Sequence, residues 1–190
     1  MTKQKKLRLP KIKWNSEKVL SLSAMSISFI TLLIFIYQTN LMSRQNALSI
    51  MPYLDIHTTV DNGNSTFVLS LKNQGVGPAI IESVHFEYEG KSHNLQDYQN
   101  DMFDFLQSKI PALDSIQEIS TASLERGMAI PANTSYTIIA VRNAKRDFEQ
   151  ITQTLEQMLA EGLDYKIVYK SIQSEKWVIH HQSEGPKRWR

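Results

Sequence analysis

From Val19 to Tyr37 the chain reads VLSLSAMSISFITLLIFIY, nineteen residues without a charge, eleven of them Val, Leu, Ile or Phe. Wound as an α-helix the run is roughly 29 Å long, which matches the hydrocarbon thickness of a bilayer. It predicts a transmembrane helix over 19–37, with Trp14 and Tyr37 as interface anchors on either side. The helical pattern continues as a short stalk over 38–51, and Pro52 ends it by pushing Met51 toward extended geometry.

Beyond Pro52 the hydrophobic period changes to two. Tyr53 to Val60 places Leu54, Ile56 and Val60 on one face and Asp55, His57 and Thr59 on the other. Asp61-Asn-Gly-Asn-Ser65 has the composition of a hairpin turn, and Thr66 to Asn73 returns with Phe67, Leu69 and Leu71 inward. Gln74-Gly-Val-Gly-Pro-Ala79 interrupts the pattern, after which Ile80 to Glu89 alternates through Val84, Phe86 and Tyr88. Three antiparallel strands in succession are expected. Gly75, Gly77 and Pro78 are the structural turn, with the glycines expected to supply a positive φ.

Helical spacing takes over from Asp97 to Ile110, where Tyr98, Met102, Phe105 and Leu106 form an apolar stripe that Pro111 stops. Residues 112–134 give little pattern beyond a short strand near Gly127–Ile130 and a turn at Pro131–Thr134. Ser135 to Arg142 is apolar on both faces, as a central strand would be. Lys145 to Leu163 is an amphipathic helix built on Phe148, Ile151, Leu155, Met158 and Leu159, with Gly162 near its end. Asp164–Ile172 and Glu175–His181 form a last hairpin. The expected fold is mainly β, an antiparallel β-sandwich over 52–182 with two helices inserted in its connections and a C-terminal tail over 183–190.

Charge sharpens the membrane reading. Residues 1–44 carry eight Lys and Arg against one acid, a net +7, whereas residues 45–190 carry thirteen against eighteen, a net −5. Most of the positive charge lies in the basic tail over 1–18, so the positive-inside rule keeps the N-terminus cytoplasmic and places the folded domain outside, periplasmic or extracellular. The stretch Gln38-Thr-Asn-Leu-Met-Ser-Arg-Gln-Asn46 offers no small-x-small cleavage site, so the segment reads as an uncleaved signal anchor in the inner (cytoplasmic) membrane. Within the span, Ser21, Ala24, Ser28 and Thr31 line one helical face, a stripe of small residues suited to contact with a second membrane helix.

Leu71-Lys-Asn-Gln-Gly-Val-Gly-Pro-Ala79, followed by Val84-His-Phe-Glu-Tyr-Glu-Gly90, resembles the N-x-G-x-G-P-A turn of bacterial immunoglobulin-like envelope modules. Tyr37-Gln-Thr-Asn-Leu-Met42, Met51-Pro-Tyr-Leu54 and the segment from Tyr169-Lys-Ser171 to Trp177 extend the likeness to small uncharacterised bacterial envelope proteins with one span. The resemblance implies an immunoglobulin-like sandwich and is silent on activity, because that architecture hosts many roles.

Candidate chemistry is sparse. There is no cysteine, which removes disulfides, thiolate zinc sites and cysteine nucleophiles. The histidines at 57, 85, 93, 180 and 181 show no HExxH or His-x-His spacing; His180 and His181 would point to opposite faces of a strand, and His85 falls on the polar, solvent-facing side of its own. Asp97, Asp101 and Asp104 share a face of the expected helix and read as a solvated surface, since no D-x-D-x-D-G loop accompanies them. No G-x-S-x-G elbow or phosphate loop occurs. Asn64-Ser-Thr66 and Asn133-Thr-Ser135 fit the glycosylation pattern, which matters only in a eukaryote.

No catalytic, cofactor or metal site is therefore expected, and nucleic acid is not an expected partner. The expected function is a membrane-anchored extracytoplasmic interaction module, an accessory or partner-binding subunit of an envelope complex, a defence or immunity role included. Its partners would be the lipid bilayer and a membrane or envelope protein, or a second copy of itself. The alternative is a membrane-tethered ligand receptor or hydrolase with a site built from the loops of 91–134, which a deep concavity gathering polar side chains would favour.

Overall fold

A computed structural model describes residues 15–181 and 183–189. Trp14 and the part of the basic tail before it lie outside the described residues. Residues up to Asn46 and those from Ala47 onward form two separate units.

The first unit is dominated by one α-helix, α1, over Ser16–Ser49, none of whose residues is buried. It is long and apolar enough to cross a membrane. The expected span and stalk are thus a single element. At 34 residues the helix is about 51 Å long, well beyond the 30 Å or so of a hydrocarbon core.

The second unit is a β-sandwich. One sheet has the order β1-β2-β7-β5, with β1 Leu54–Asp61, β2 Thr66–Asn73, β7 Thr134–Val141 and β5 Ile119–Thr121. The other runs β10-β9-β8-β3-β4, with β10 Lys187–Arg188, β9 Lys176–His180, β8 Asp164–Lys170, β3 Ala79–Tyr88 and β4 Lys91–Asn94. A two-residue strand β6, Ala129–Ile130, also pairs with β3. All the pairings are antiparallel. The β1–β2 hairpin forms where its turn residues place it, because Asp61 Oδ1 accepts the N–H groups of Gly63 and Asn64 at 2.9 and 3.2 Å. As its two apolar faces require, β7 lies between β2 and β5.

The expectation of three successive antiparallel strands fails at the third. β3 leaves the sheet of β1 and β2 and pairs with β8 in the other one. Asn73, fully buried, holds the crossing. Its side-chain oxygen accepts the N–H groups of Tyr53 and Gly75 at 3.1 and 3.0 Å, and its amide donates to the carbonyls of Gly77 and Ile130 at 2.9 and 3.0 Å. Four bonds satisfy every donor and acceptor the amide has.

Gly75 and Gly77 are turn residues as expected, but for another reason. Neither has a positive φ. A Cβ on Gly75 would come within 3.0 Å of the backbone of Met51 and Tyr53, and one on Gly77 within 3.0 Å of the backbone of Ile50. The glycines let two backbones touch; Pro78 follows and leads directly into β3.

The helix expected over 97–110 is broken in two. A 3-10 turn spans Leu95–Tyr98, Gln99 and Asn100 take left-handed conformations with φ of 54 and 61°, and α2 covers Met102–Lys109. Asp101 starts it, its carboxylate accepting Phe103 N–H at 2.7 Å. Asp97, Asp101 and Asp104 therefore do not share a helix face. The third helix, α3, spans Lys145–Ala160 and is sealed by Gly162 at φ 93° with Leu163 N–H donating to Met158 C=O at 2.8 Å. Its end is tied to β3 by Tyr88, whose hydroxyl donates to Glu161; that carboxylate, aided by burial, pushes the phenol up to about 12.

Phe67, Leu69 and Leu71 face Ile81, Val84 and Phe86 across the core, and α2 adds Phe105, stacked on Phe86 at 4.6 Å. Tyr169 of β8 is fully buried, and its hydroxyl oxygen accepts Leu54 N–H at 3.2 Å, joining the two sheets.

Candidate functional site

β1 is the edge of its sheet, and its inward face becomes progressively uncovered along its length. Leu54 is fully buried, Ile56 half-buried, and Val60 is 47% exposed. The alternation that groups these three residues is present, but the last of them has no packing partner deep enough to bury it. What lies beside it is a cavity of about 200 Å³ between the sheets.

Phe67 and Leu69 of β2 form one wall, Val84 and Phe86 of β3 with Ile167 of β8 form the facing one, and Leu155 and Leu159 of α3 close the side. α3 is suited to this position because Phe148, Ile151, Leu155 and Met158 bury one face, while Leu159, the next apolar residue, is 40% exposed. Only Met102 and Leu124 reach the cavity from the loops of 91–134.

Five side chains bring polar atoms to this lining, Thr58 of β1 among them. Thr152 and Glu156 stand one turn apart on α3, and Tyr165 and His181 meet edge-on with ring centres 5.8 Å apart. Thr152 Oγ1 is buried and has no hydrogen-bond partner. Burial, then the carboxylates of Asp55 and Asp164, push the Tyr165 phenol up to about 12, so it stays a neutral donor over the whole physiological range. The set offers hydrogen bonds at the edge of an apolar space.

The remaining sequence candidates fall elsewhere. Among the described residues no group of three or more His, Asp or Glu is placed to hold a metal ion. His93 sits against Tyr98, its Nδ1 3.1 Å from the phenol oxygen, and burial lowers its pKa. His85, expected to face solvent, is half-buried on the middle strand β3 between Asn94 and Lys166, and its Nδ1 is buried without a partner. Within α1, Ser21, Ser28 and Thr31 donate to the carbonyls of Glu17, Ala24 and Ile27 at 2.9, 2.9 and 2.8 Å. Those hydroxyls are satisfied by their own helix.

The cavity escapes sequence reading because each wall residue is individually an ordinary core residue. The only trace is Thr152, a polar residue beside the buried stripe of α3, and such flanking threonines are common.

A family described as a domain of unknown function (DUF8453) matches residues 19–183, taking in both the apolar helix and the sandwich. No curated protein and no solved structure matches the chain.

Proposed function

Since the chain belongs to the DUF8453 family, whose match covers helix and sandwich together, we propose that the two act as one device: a membrane-anchored binding module with no chemistry of its own. α1 is its single span, the N-terminus is cytoplasmic, and the sandwich works outside the inner membrane as a partner-binding or accessory subunit of the envelope. The observation that carries the reading is the apolar cavity open at the β1 edge, flanked by exposed Val60 and Leu159. Exposed apolar surface around a concavity is the usual mark of a binding site, and hydrolysis would call for a nucleophile and base within reach of each other.

A photoreactive benzoylphenylalanine placed at Val60 or Leu159 of the full chain in its native membrane tests this. Irradiation is expected to give adducts at both positions and none at Ser92, an exposed residue of β4. Equal adduct formation at all three, or none at the first two, overturns the reading.

A further inference from the structure

The chain enters the sandwich through Met51–Leu54, and hydrogen bonds show what stands around that point. Val76 N–H donates to Met51 C=O at 3.1 Å, and Leu54 N–H donates to the hydroxyl of Tyr169, near the end of β8, at 3.2 Å. The glycine turn and the β8–β9 turn therefore occupy the same end of the two sheets, and the β1–β2 turn occupies the opposite one. At the entry end two apolar side chains have nothing over them. Val76, between the glycines, is 62% exposed and Ile172, in the β8–β9 turn, is 60% exposed, more than any other large apolar side chain among the described residues of the sandwich.

Charge is arranged around them. Lys170 closes β8, Lys176 opens β9, and Lys187 and Arg188 form β10, after which Trp189 N–H reaches Lys176 C=O at 2.9 Å. Their acidic partners are the less exposed members of each pair: the Glu82 side chain is 14% exposed under Lys170 and Lys176, and that of Glu175 is 23% exposed against 67% for Arg188. Lys72 and Asp55 face each other across β2 and β1 and offset one another. Residues 45–190 carry a net −5, yet this end presents four cations over two largely covered acids.

α1 fixes how far from a bilayer this end can lie. No residue between Lys18 and Arg44 is charged, and that stretch of helix is about 39 Å long, close to the 40–45 Å of a bilayer with both head-group layers. With Lys18 at the inner surface, Arg44 falls among the outer head groups. Ser49, where the helix ends, is about 8 Å further along its axis, and the usual tilt of a membrane helix shortens that height. The helix leaves no long spacer between the lipid and Met51.

We infer that the entry end of the sandwich is a second lipid contact, seated on the outer head groups of the bilayer that α1 crosses. Val76 and Ile172 enter the interfacial layer, and Lys170, Lys176, Lys187 and Arg188 face anionic head groups. Val60, near the opposite end of β1, lies on the side away from the lipid, where a partner can reach it. The inference rests on α1's being the single span, as proposed above.

The chain has no cysteine, so Val76→Cys, Ile172→Cys, Asn62→Cys in the β1–β2 turn and Ile30→Cys in α1 can each carry one NBD fluorophore. The full-length variants are reconstituted in vesicles of phosphatidylcholine and phosphatidylglycerol that contain lipid with a nitroxide on its head group or at mid-chain. The head-group nitroxide is expected to quench the labels at 76 and 172 about threefold more than the label at 62, and the mid-chain nitroxide to quench the label at 30. Ile172→Asp, a change in an exposed turn that leaves the melting temperature unaltered, is expected to lower the quenching at 76 about twofold, as is omission of the anionic lipid. Equal quenching at 62, 76 and 172, or quenching at 76 that neither change affects, overturns the inference. Labels at 76 and 172 that are shielded from aqueous quencher in native membranes but not in vesicles assign this end to a protein partner and overturn it as well. Quenching at 30 without quenching at 76 and 172 overturns the contact while the anchor stands; an unquenched label at 30 removes the anchor and the contact together.

Discussion

Asn73 shows how much one amide can hold. Replacing it with Ala strands the N–H groups of Tyr53 and Gly75 and the carbonyls of Gly77 and Ile130. Each buried group so orphaned costs roughly 1–3 kcal/mol, partly relieved by water, so Asn73→Ala is expected to destabilise the sandwich by about 3 kcal/mol in urea denaturation. Asn73→Asp keeps the shape and sets a carboxylate against two carbonyls, so it should not restore stability. The glycines make a sharper comparison. Gly90 has φ 71° and open space around its missing Cβ, whereas Gly77 lacks a positive φ but has the backbone of Ile50 against it. Gly90→Ala should cost about 1 kcal/mol from backbone strain, and Gly77→Ala more, about 3 kcal/mol, because backbone cannot yield as a side chain does. Equal melting temperatures for the two variants would show that the close approach is not the constraint.

Among the elements, β3 is fastened to the β8–β9 hairpin by Glu82, which pairs with Lys170 and, at 3.4 Å, with Lys176. The Lys170 hydrogen bond is the main cause that holds the Glu82 carboxyl below its ordinary 4.5. A depressed folded-state pKa means that this stabilisation is present above pH 4.5 and is lost as pH falls toward the folded value. Between pH 6 and 3 the wild-type melting temperature should therefore fall more steeply than that of Glu82→Gln; parallel curves would show that the pair contributes nothing. In α1 the hydroxyls of Ser21, Ser28 and Thr31 already bond their own helix, so any pairing through the stripe with Ala24 works by close packing. Ala24→Leu with Ser28→Leu should reduce association in a membrane two-hybrid assay, while Ser28→Ala should not. Long elements with a clean period, such as β2, β7, α3 and the β8–β9 hairpin, were legible in the sequence. Of the short ones, β6 was, as the strand expected near Gly127–Ile130; β4 and β5 were not, because partners distant in the chain create them. β4, Lys91–Asn94, has no aliphatic residue and exists by pairing with β3. The chain enters β5 where buried Asp147 accepts the N–H groups of Gln117 and Glu118 at 3.0 and 2.8 Å, thirty residues away in sequence. The cavity belongs to the same class: Val60 and Leu159 looked like core residues because periodicity reports a face, not whether anything covers it.

For the whole molecule, the sandwich has its own core and no residue of α1 is buried, so residues 47–190 expressed alone are expected to melt in one cooperative step. A broad, non-cooperative loss of signal would mean that the core needs the anchor or a partner. Orientation has an independent check: alkaline phosphatase fused after Arg190 should be active and green fluorescent protein fused there dark, and the opposite result would place the sandwich in the cytoplasm. One feature of the join has mechanical meaning. Any tension between the helix and the sandwich passes through Ile50 to Leu54. The glycine turn grips that segment from the side, with Val76 N–H on Met51 C=O at 3.1 Å, Gln74 N–H on Tyr53 C=O at 2.8 Å, and Asn73 on Tyr53 N–H. A pull must slide backbone against backbone and rupture these bonds together before β1 begins to peel from β2. The turn is thus a strain relief, the clamp that keeps a load on the tether from unzipping the strand that borders the cavity.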